Sequence, residues 1–495
     1  MLYIGIDLGT SAVKLTVWDA ETQHSLITVQ YPTEEAPIYS AQPGWAEQSP
    51  LDWWDHIRNA MHQANSSGLY VVKDIKGIGI AYQMHGLVLV DQNGSSIGNS
   101  IIWCDSRAIH TGEEIYQTLG RDYCDRYLLN SPGNFTAAKL AWVQQHQPEI
   151  FQQIHRIMLP GDYISFRMTG EATTTSSALS EGIFWDYQQN QPAHQLFQQY
   201  HWNPEWIPAI RPVFGEHGFL SSEAAHELQL IPGIPVTYKA GDQMNNAWSL
   251  GVMEPGQIAA TAGTSGVIYA VTDQPLTDSL GRINSFAHVN HSNEQARLGL
   301  LMCINGAGIL NKWVRQLTGN RYDYEEMNRL AATIQPGADG LFFYPFGNGA
   351  ERILGNQIIN AHLHNIDFNR HSPAHLFRAA QEGVAFAFRY GLDVLREMQV
   401  TVKLIKAGTA NLFLSDVFIQ AFVQLTQTPL ELFDVNGSEG AARGAAKGSG
   451  FINKENHSTL LSTPIKRIDP DTRDKIWEDI YQQWLLQLKN KINNS

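Results

Sequence analysis

The sequence predicts an α/β protein made of two duplicated domains with a central cleft between them. Three observations lead to this prediction. The 495-residue chain is too long for one ordinary domain, and with 43% hydrophobic residues it can bury two large cores. Strand and helix patterns alternate along it, which is typical of α/β folds. One turn sequence occurs twice, as Ile4–Val17 and again, about half the chain later, as Ile258–Val271.

The first half begins with a predicted three-stranded meander. Its strands are Leu2–Asp7, Val13–Asp19 and Ser25–Tyr31, and apolar and polar residues alternate in the second strand, which indicates one buried face. A helix follows, with Ser49-Pro50 as its cap and first residue. The next segment, Ile75–Ala81, is predicted to be a buried strand. This order favours a mixed sheet over a purely parallel one.

The second half repeats this order after residue 256. Two strands are predicted on either side of Gly263-Thr-Ser265, a third over Arg297–Asn305, and a helix over Ile309–Leu317. An apolar strand, Val402–Ile405, and a helix with a small-residue face, Gly437–Ala446, follow later. The two turns stand 263 minus 9, or 254, positions apart. A repeated module of this length indicates duplicated domains, and ligands often bind in a cleft between domains.

The domain boundary is expected near the middle of the chain. We expect a first domain over residues 1–245, a second over 246–450, and a C-terminal helical extension over 451–495 that packs back on the body. No low-complexity linker separates the halves. The stretch Asp242–Gln257 therefore stands at the junction.

Charge and cysteine content exclude several classes of function. The net charge is -14, and no Lys or Arg cluster is present that could follow a phosphate backbone, so no nucleic-acid partner is expected. Cys104, Cys124 and Cys303 are too widely spaced for a disulfide framework or a zinc knuckle, which suits a reducing compartment. No stretch approaches the ~20 apolar residues of a membrane span, and no basic leader precedes the first strand. We therefore expect a cytoplasmic protein without a membrane partner.

The repeated turn carries groups that suit an anion. Backbone N–H groups and hydroxyls in a Gly-Thr-Ser turn form a small concavity that binds anions, although a plain hairpin explains either copy equally well when taken alone. Asp7 precedes the first copy. Because a carboxylate repels a phosphate unless a cation lies between them, we interpret Asp7 as a Mg²⁺ ligand. Lys14 follows the turn and could reach a phosphate as a point charge.

Asp242 has two possible roles. It follows a predicted strand, Pro235–Tyr238, and precedes a predicted helix near the inferred cleft. As a general base it would take the proton of a substrate hydroxyl while that hydroxyl attacks a γ-phosphate. As the first polar residue of a helix it would be an ordinary N-cap. The residues alone leave both interpretations open.

Three further loops follow predicted strands and carry candidate contacts. Gln83–Gly86 and Trp103–Arg107 combine a flat apolar ring with His and Asp, which suits a polyol, although a lone histidine such as His85 is more often structural. The stretch Lys406–Asn411 is rich in small residues and follows the strand Val402–Ile405. Small residues would let an adenine ring approach the backbone, and a tight turn is an equally good interpretation.

Eight short motifs occur in the same order as in a known family. They are Asp7-Leu-Gly-Thr-Ser-Ala-Val-Lys14, Gln83-Met-His-Gly86, Trp103-x-Asp-x-Arg107, Phe135-Thr-x-x-Lys-Leu-x-Trp-Val143, Leu159-Pro-x-Asp-Tyr163, Gly241-Asp242, Gly263-Thr-Ser-Gly266 and Gly349-x-Glu-Arg352. With them, nearly the whole chain resembles the FGGY carbohydrate kinases. The resemblance implies two actin-like (ribonuclease H-like) domains of the sugar kinase, Hsp70 and actin superfamily, with ATP in the cleft between them.

The resemblance also implies roles for individual residues. Asp242 matches the catalytic base, and Asp7 is expected near Mg²⁺. The Met84-His85 pair resembles the sugar-binding pair of the kinases that act on D-xylulose, whereas glycerol kinases are expected to carry Arg-Glu there. The expected sugar contacts are Met84, His85, Trp103, Asp242 and Gln243. The expected ATP contacts are Gly9, Thr10, Ser11, Lys14, Thr264, Gly308, Gly408 and Thr409.

The activity implied by the resemblance is ATP-dependent phosphorylation of D-xylulose to D-xylulose 5-phosphate. The alternatives are the same chemistry on another sugar or polyol, such as L-ribulose, gluconate or a glycerol-like substrate, and a non-catalytic nucleotide clamp like actin or Hsp70. A small sugar and ATP are the expected partners, and a homodimer is compatible with the family. One departure concerns the adenine loop, which reads Lys406-Ala-Gly-Thr409 in place of the usual Gly-Gly-Gly-Ala run and could favour another base.

Overall fold

The chain forms two compact units. A computed structural model describes residues 1–451 and 463–493. The first unit contains residues 1–251, 286–298 and the described chain from 435 to 451, and the second contains residues 252–285, 299–434 and 463–493. The chain thus returns to the first unit after residue 434, a return that the two-part division expected from the sequence does not include. Residues 452–462 of the expected C-terminal extension lie outside the described residues.

The helices and strands follow the alternating order of an α/β protein. The strands are β1 (Leu2–Leu8), β2 (Val13–Asp19), β3 (His24–Tyr31), β4 (Glu47–Gln48), β5 (Ile75–Tyr82), β6 (Val88–Val90), β7 (Ser100–Ile101), β8 (Arg156–Met158), β9 (Thr173–Thr174), β10 (Trp185–Asp186), β11 (Gln191–Pro192), β12 (Ala209–Ile210), β13 (Val236–Gly241), β14 (Gln257–Ala262), β15 (Gly266–Thr272), β16 (Asn284–Ala287), β17 (Leu298–Ile304), β18 (Phe342–Tyr344), β19 (His362–His364), β20 (Leu404–Gly408), β21 (Leu430–Phe433) and β22 (Lys466–Ile468). The helices are α1 (Pro50–Ser66), α2 (Ile109–Leu119), α3 (Arg121–Tyr123), α4 (Thr136–His146), α5 (Pro148–Phe151), α6 (Pro160–Thr169), α7 (Ser176–Glu181), α8 (His194–Tyr200), α9 (Ser222–Leu228), α10 (Asp242–Ser249), α11 (Gly308–Leu317), α12 (Tyr324–Ala331), α13 (Pro373–Glu397), α14 (Asp416–Thr426), α15 (Gly437–Gly448) and α16 (Ile476–Asn493).

The first unit is built on a mixed five-stranded sheet in the order β13-β5-β1-β2-β3. The strands β1, β5 and β13 run parallel, whereas β2 runs antiparallel to both β1 and β3. Because parallel strands end at the same edge, the loops after β1, β5 and β13 emerge together. Helix α1 begins as predicted, with Ser49 as its cap and Pro50 as its first residue, and it buries Trp53, Ile57 and Met61.

Helix α15 packs directly on this sheet through close backbone contacts. A methyl group at Gly79 of β5 would lie 2.0 Å from the carbonyl oxygen of Ala441, and one at Gly5 of β1 would lie 1.8 Å from that of Ser438. Glycine is therefore required at both strand positions, since any side chain would collide with the helix backbone. The helix with a small-residue face that the sequence predicted is thus confirmed, and small residues on both surfaces explain its close approach.

The second unit repeats the topology of the first. Its sheet has the order β16-β17-β15-β14-β20-β21-β22, in which β14 pairs antiparallel with β15 and parallel with β20, as β1 pairs with β2 and β5. Long buried helices cover it, above all α13, and Trp477, Tyr481 and Trp484 of α16 lie in the same core. The duplicated α/β fold predicted from the sequence is confirmed.

The predicted bounds of one strand in the second unit need correction. The strand expected over Val402–Ile405 instead spans Leu404–Gly408, because Lys406 is paired in both neighbouring ladders, with Ala259 and with Glu431.

In the part of the chain that the structure describes, no helix has the length and apolar character to cross a membrane.

Candidate active site

Asp242 opens the helix that follows the edge strand of the first sheet. Strand β13 ends at Gly241, which is also the cap residue of α10, and Asp242 is the first helical residue. The cap residue is Gly241 and not Asp242, so the interpretation of Asp242 as an N-cap is wrong, although its carboxylate accepts the backbone N–H of Gln243. Burial raises the pKa of Asp242 to about 7, and the negative charge of Asp7 adds to this effect. The carboxyl group is therefore suited to accept a proton near neutral pH.

Asp7 occupies the same edge of the sheet. It lies on β1 directly opposite Lys14 of β2. A methyl group at Gly437, where α15 begins, would lie 2.2 Å from Oδ2 of Asp7, so glycine leaves the space that this carboxylate occupies. Burial raises the pKa of Asp7, and the positive charge of Lys14 partly opposes the rise. Two mutually repelling carboxylates, Asp7 and Asp242, thus stand where a cation would lower the free energy of both.

The Met84-His85 pair follows β5 and lies beside Asp242. Met84 is buried, and a methyl group at Gly241 would lie 2.7 Å from its Cγ, so Met84 packs against the residue before Asp242. His85 has a φ of +62°, which is uncommon outside glycine. Its ring meets the ring of Phe135 edge-on, with centroids 4.7 Å apart, and tilts against Phe286 at 5.4 Å. The rings of Phe135 and Phe286 therefore restrict the position of the imidazole.

Beneath His85 lies a buried carboxyl group, that of Glu181 at the end of α7. The hydroxyl of Tyr82 donates to its Oε1 at 2.7 Å, and the backbone N–H of His85 donates to its Oε2 at 3.1 Å. Burial raises the pKa of Glu181 well above its ordinary value, while these two hydrogen bonds oppose the rise. On the other side of the loop, Nζ of Lys139 donates to the carbonyl oxygen of His85 at 2.8 Å.

Trp103 is joined to the first Gly-Thr-Ser turn by a closed hydrogen-bond network. Its indole Nε1 donates to the hydroxyl of Thr10 at 2.8 Å, although the ring is 52% exposed. That hydroxyl donates to Oε1 of Gln83 at 3.1 Å, and Nε2 of Gln83 donates to Oε1 of Gln48 at 2.8 Å. Nε2 of Gln48 then donates to the carbonyl oxygen of Thr10 at 2.7 Å. The network fixes the turn and the exposed ring relative to the end of β5.

The turn itself uses one of its donors internally. The N–H of Gly9 donates to the carbonyl oxygens of Asp7 and Ala12, at 3.2 and 3.1 Å. An anion at this turn would therefore have to be held by its later residues, Thr10 and the exposed Ser11.

Gln243 lies one position beyond Asp242, and its Nε2 donates to Oδ2 of Asp242 at 3.4 Å.

In the second unit the corresponding turn is joined to the start of α11. The N–H of Gly308 donates to the carbonyl oxygen of Gly263 at 2.7 Å, and the N–H of Ile309 donates to that of Thr264 at 3.1 Å. A methyl group at Gly308 would lie 2.4 Å from the oxygen of Gly263. The structure thus brings Thr264 and Gly308 together, and only glycine permits their approach.

A second buried glutamate supports this turn. Glu351, from the Gly349-x-Glu-Arg352 motif, is fully buried, and its Oε2 accepts the backbone N–H of Asn305 at 3.0 Å. Nδ2 of Asn305 in turn donates to the carbonyl oxygen of Ala350 at 2.7 Å. Burial raises the pKa of Glu351 to about 7. These contacts fix the segment between β17 and α11, which leads directly into Gly308, the first residue of α11.

The small-residue stretch predicted to face adenine lies at the end of β20. Lys406 and Gly408 are strand residues, and the turn begins at Thr409, whose N–H donates to the carbonyl oxygen of Phe433 at 2.8 Å. Lys406 is buried, and its Nζ lies 5.5 Å from the centre of the Phe433 ring. Asn411 of the same turn lies beside the Gly263 turn, because a methyl group at Gly263 would be 3.5 Å from its Nδ2. The predicted nucleotide contacts of the second unit are therefore neighbours.

Within residues 1–451 and 463–493, no three His, Cys, Asp or Glu side chains cluster in a way that could hold a metal ion. Mg²⁺ usually binds one or two carboxylates together with water and substrate phosphates, so it needs no cage made of protein alone. The paired oxygen donors Asp7 and Asp242 fit this mode of binding.

The sequence analysis assigned no role to four residues of the site, Tyr82, Lys139, Glu181 and Glu351, although Lys139 and Glu351 stand in two of the quoted motifs. Two of them gave a weak signal. Lys139 interrupts a run of buried helix residues, and Glu181 is a single charge in a stretch of small and apolar residues. A charged residue in such a setting is seldom buried without a partner, so each pattern indicates a specific contact. The identity of that contact needed the fold.

The whole site falls within regions that match known family models. Residues 2–248 match the N-terminal domain of the FGGY family of carbohydrate kinases, and residues 258–448 match its C-terminal domain. One similar protein is the xylulose kinase of Escherichia coli (strain K12), which is 30% identical over 452 residues, covering 90% of this chain and 89% of that protein.

Solved structures of two kinases share the fold of this chain. The ligand-bound xylulose kinase of Lactobacillus acidophilus superimposes with a TM-score of 0.89 at 20% identity, over 100% of this chain and 99% of that one. The gluconate kinase of the same organism superimposes with a TM-score of 0.87 at 19% identity, over 99% and 98% of the two chains. At such identities the likeness concerns the fold, which kinases of different sugars share.

Proposed function

The chain belongs to the FGGY family of carbohydrate kinases, and from this premise we propose that it transfers the γ-phosphoryl group of ATP to D-xylulose, giving D-xylulose 5-phosphate. As a member of this family it is a phosphotransferase with an alcohol acceptor. The choice of D-xylulose is supported by the similar proteins named xylulose kinase and by the Met84-His85 pair at the end of β5.

One observation carries the catalytic part of the proposal. Asp242 is the first residue of α10 and not its cap, its pKa is raised to about 7, and the residue before it, Gly241, packs against Met84. A carboxylate whose proton affinity matches neutral pH is an efficient general base for an alcohol in phosphoryl transfer. We assign Asp242 this role.

In the proposed mechanism the first unit binds the sugar and activates it. Met84, His85, Trp103 and Gln243 surround the ketose, with the indole ring against its C–H face and polar groups at its hydroxyls. Asp242 accepts the proton of the terminal hydroxyl while the hydroxyl oxygen attacks the γ-phosphorus. The proton thus passes to the Asp242 carboxylate, and ADP leaves with the electron pair of the broken P–O bond.

The remaining predicted residues are assigned to the nucleotide. Thr10, Ser11 and Lys14 of the first unit would contact phosphate oxygens, and the neighbouring turns that carry Thr264, Gly308, Gly408 and Thr409 in the second unit would bind the rest of ATP. Asp7 would hold Mg²⁺, with Asp242 nearby. The cation supplies positive charge that offsets the charge developing on the transferred phosphoryl group.

A coupled assay of ADP release, run with and without D-xylulose, tests the proposal. We expect ADP release only when the ketose is present. We also expect ³¹P and ¹³C NMR spectra of the product to show the phosphate on the terminal carbon. Sugar-independent ATP hydrolysis would contradict the kinase proposal and favour the non-catalytic nucleotide clamp. Sugar-dependent turnover that is higher with L-ribulose, gluconate or glycerol would retain the kinase and overturn the choice of substrate.

A further inference from the structure

The backbone of His85 is held in an uncommon conformation by its surroundings. A φ of +62° lies in the left-handed region, which non-glycine residues seldom adopt and which persists only where neighbouring groups impose it. The side chain of His85 is only 16% exposed. Because the loop is short and enters directly from β5, the groups that impose this conformation also decide where the imidazole points.

Glu181 contacts His85 through both its side chain and its backbone. Oε2 of the carboxyl group accepts the N–H of His85 at 3.1 Å, and the carbonyl oxygen of Glu181 lies 3.0 Å from Nδ1 of the ring. A carbonyl oxygen only accepts hydrogen bonds, so Nδ1 must be the donor. Lys139 completes the set on the far side of the loop, where its Nζ donates to the carbonyl oxygen of His85 at 2.8 Å.

These contacts have a chemical consequence for the imidazole. With the proton on Nδ1, a neutral imidazole would present Nε2 as a hydrogen-bond acceptor. A sugar hydroxyl is both a donor and an acceptor, and an acceptor at a fixed position selects a hydroxyl that can donate to it. A ring that turned or exchanged tautomers would lose this selection.

We propose that Glu181 is a positioning residue that fixes the loop, ring orientation and tautomer of His85 for binding the ketose. The inference rests on the proposed function, in which His85 contacts the sugar. Glu181 is fully buried, so we assign it no direct contact with the ketose. Its carboxyl group is held in place from the opposite side by the hydroxyl of Tyr82, which donates to Oε1 at 2.7 Å.

The first test replaces the acceptor. Glu181→Met fills similar space but cannot accept the N–H of His85, and we expect the KM for D-xylulose to rise by ~10–100-fold, as for other partners that orient a ligand group. The KM for ATP should change by less than about threefold, because the nucleotide residues lie elsewhere in the chain. Tyr82→Phe removes only the hydrogen bond on the opposite side of the same carboxyl group, so it should raise the KM for D-xylulose by less than Glu181→Met does. The matched control is Glu223→Met at an exposed glutamate of the same unit, which should leave both KM values near wild type.

Rescue by a conservative variant separates positioning from general folding damage. In Glu181→Gln the amide oxygen still accepts the N–H of His85, and the amide nitrogen donates to the hydroxyl oxygen of Tyr82. We expect this variant to bind D-xylulose within about threefold of wild type. A KM as high as that of Glu181→Met would overturn the inference. If Glu181→Met fails to fold, Glu181→Gln is compared with the wild type instead, and a KM for D-xylulose raised ~10-fold or more in this variant would overturn the inference.

A double-mutant cycle distinguishes failure of this inference from failure of the proposed function. If Glu181 acts through His85, Glu181→Met should add little to the KM of His85→Ala, whereas a structural role would give additive effects. A large effect of His85→Ala beside an unchanged KM in Glu181→Met would overturn only the positioning role. An unchanged KM in His85→Ala would remove the sugar contact assigned to His85, and the positioning role with it.

Discussion

Replacing Asp242 with Asn should make the protein more stable and inactive at the same time. The pKa of Asp242 is raised from an ordinary 3.8 to about 7, so the folded protein resists ionisation of a group that ionises freely when unfolded. At about 1.4 kcal/mol per pKa unit, ionising Asp242 in the folded protein costs up to about 4 kcal/mol more than ionising it in the unfolded chain. The side chain retains partial exposure, and its surroundings relax, so we expect Asp242→Asn to recover about 1–2 kcal/mol, or roughly 2–5 °C in Tm.

The pH dependence of this gain follows from the sign of the shift. Below pH 3.8 both folded and unfolded chains carry the proton, and the variant should have no advantage. The gain should grow between pH 4 and 7, because in this range the unfolded wild type is already ionised while the folded wild type still holds the proton. Above pH 7 the gain should stay constant. Calorimetric scans of both proteins across this range, without Mg²⁺ or nucleotide, measure it.

The control for this experiment is Asp74→Asn, which changes an exposed aspartate of the same unit. It should show no gain that grows with pH. If Asp242→Asn is as stable as wild type at pH 8, or if its gain is the same at pH 4 and pH 8, then burial and the charge of Asp7 do not perturb Asp242 as described.

Three further outcomes are expected. In Gly308→Ala the new methyl group would lie 2.4 Å from the oxygen of Gly263, so the KM for ATP should rise ~10-fold or more in steady-state assays while the KM for the ketose hardly moves; equal changes in both would argue against a nucleotide role. Gly79→Ala should lower the free energy of unfolding by about 1–3 kcal/mol in urea titrations, because its methyl group meets the Ala441 carbonyl at 2.0 Å, and unchanged stability would refute that packing. Removal of divalent cations with EDTA should reduce turnover at least ~100-fold, restored by Mg²⁺; full activity in EDTA would exclude a cation beside Asp7.

Much of the fold could be predicted from the sequence because its signals are local. The meander over the first three strands, the cap of α1 and the doubled Gly-Thr-Ser turn depend on residues close together in the chain, and the structure has them. The boundary of β20 was misjudged because small residues in a strand resemble a turn. Only pairing with Ala259 and Glu431 shows that Lys406 belongs to the strand.

The site was harder to predict because its contacts join distant parts of the chain. Asp242 could be recognised as a candidate, but the choice between base and helix cap depended on Gly241 being the cap. Glu181 contacts a residue 96 positions away, and Lys139 reaches the same residue across 54 positions. Periodicity carries no information about such pairs, and a buried charge becomes interpretable only when its partner is known.

The measurement that tests the central claim most directly is the specificity constant for phosphorylation across D-xylulose, L-ribulose, D-ribulose, glycerol and gluconate, in the wild type and in Asp242→Asn. We predict the highest kcat/KM for D-xylulose and a loss of several orders of magnitude in kcat for the variant, with nucleotide binding retained. A variant that phosphorylates D-xylulose as fast as the wild type would contradict the assignment of Asp242 as the base and with it the proposed mechanism.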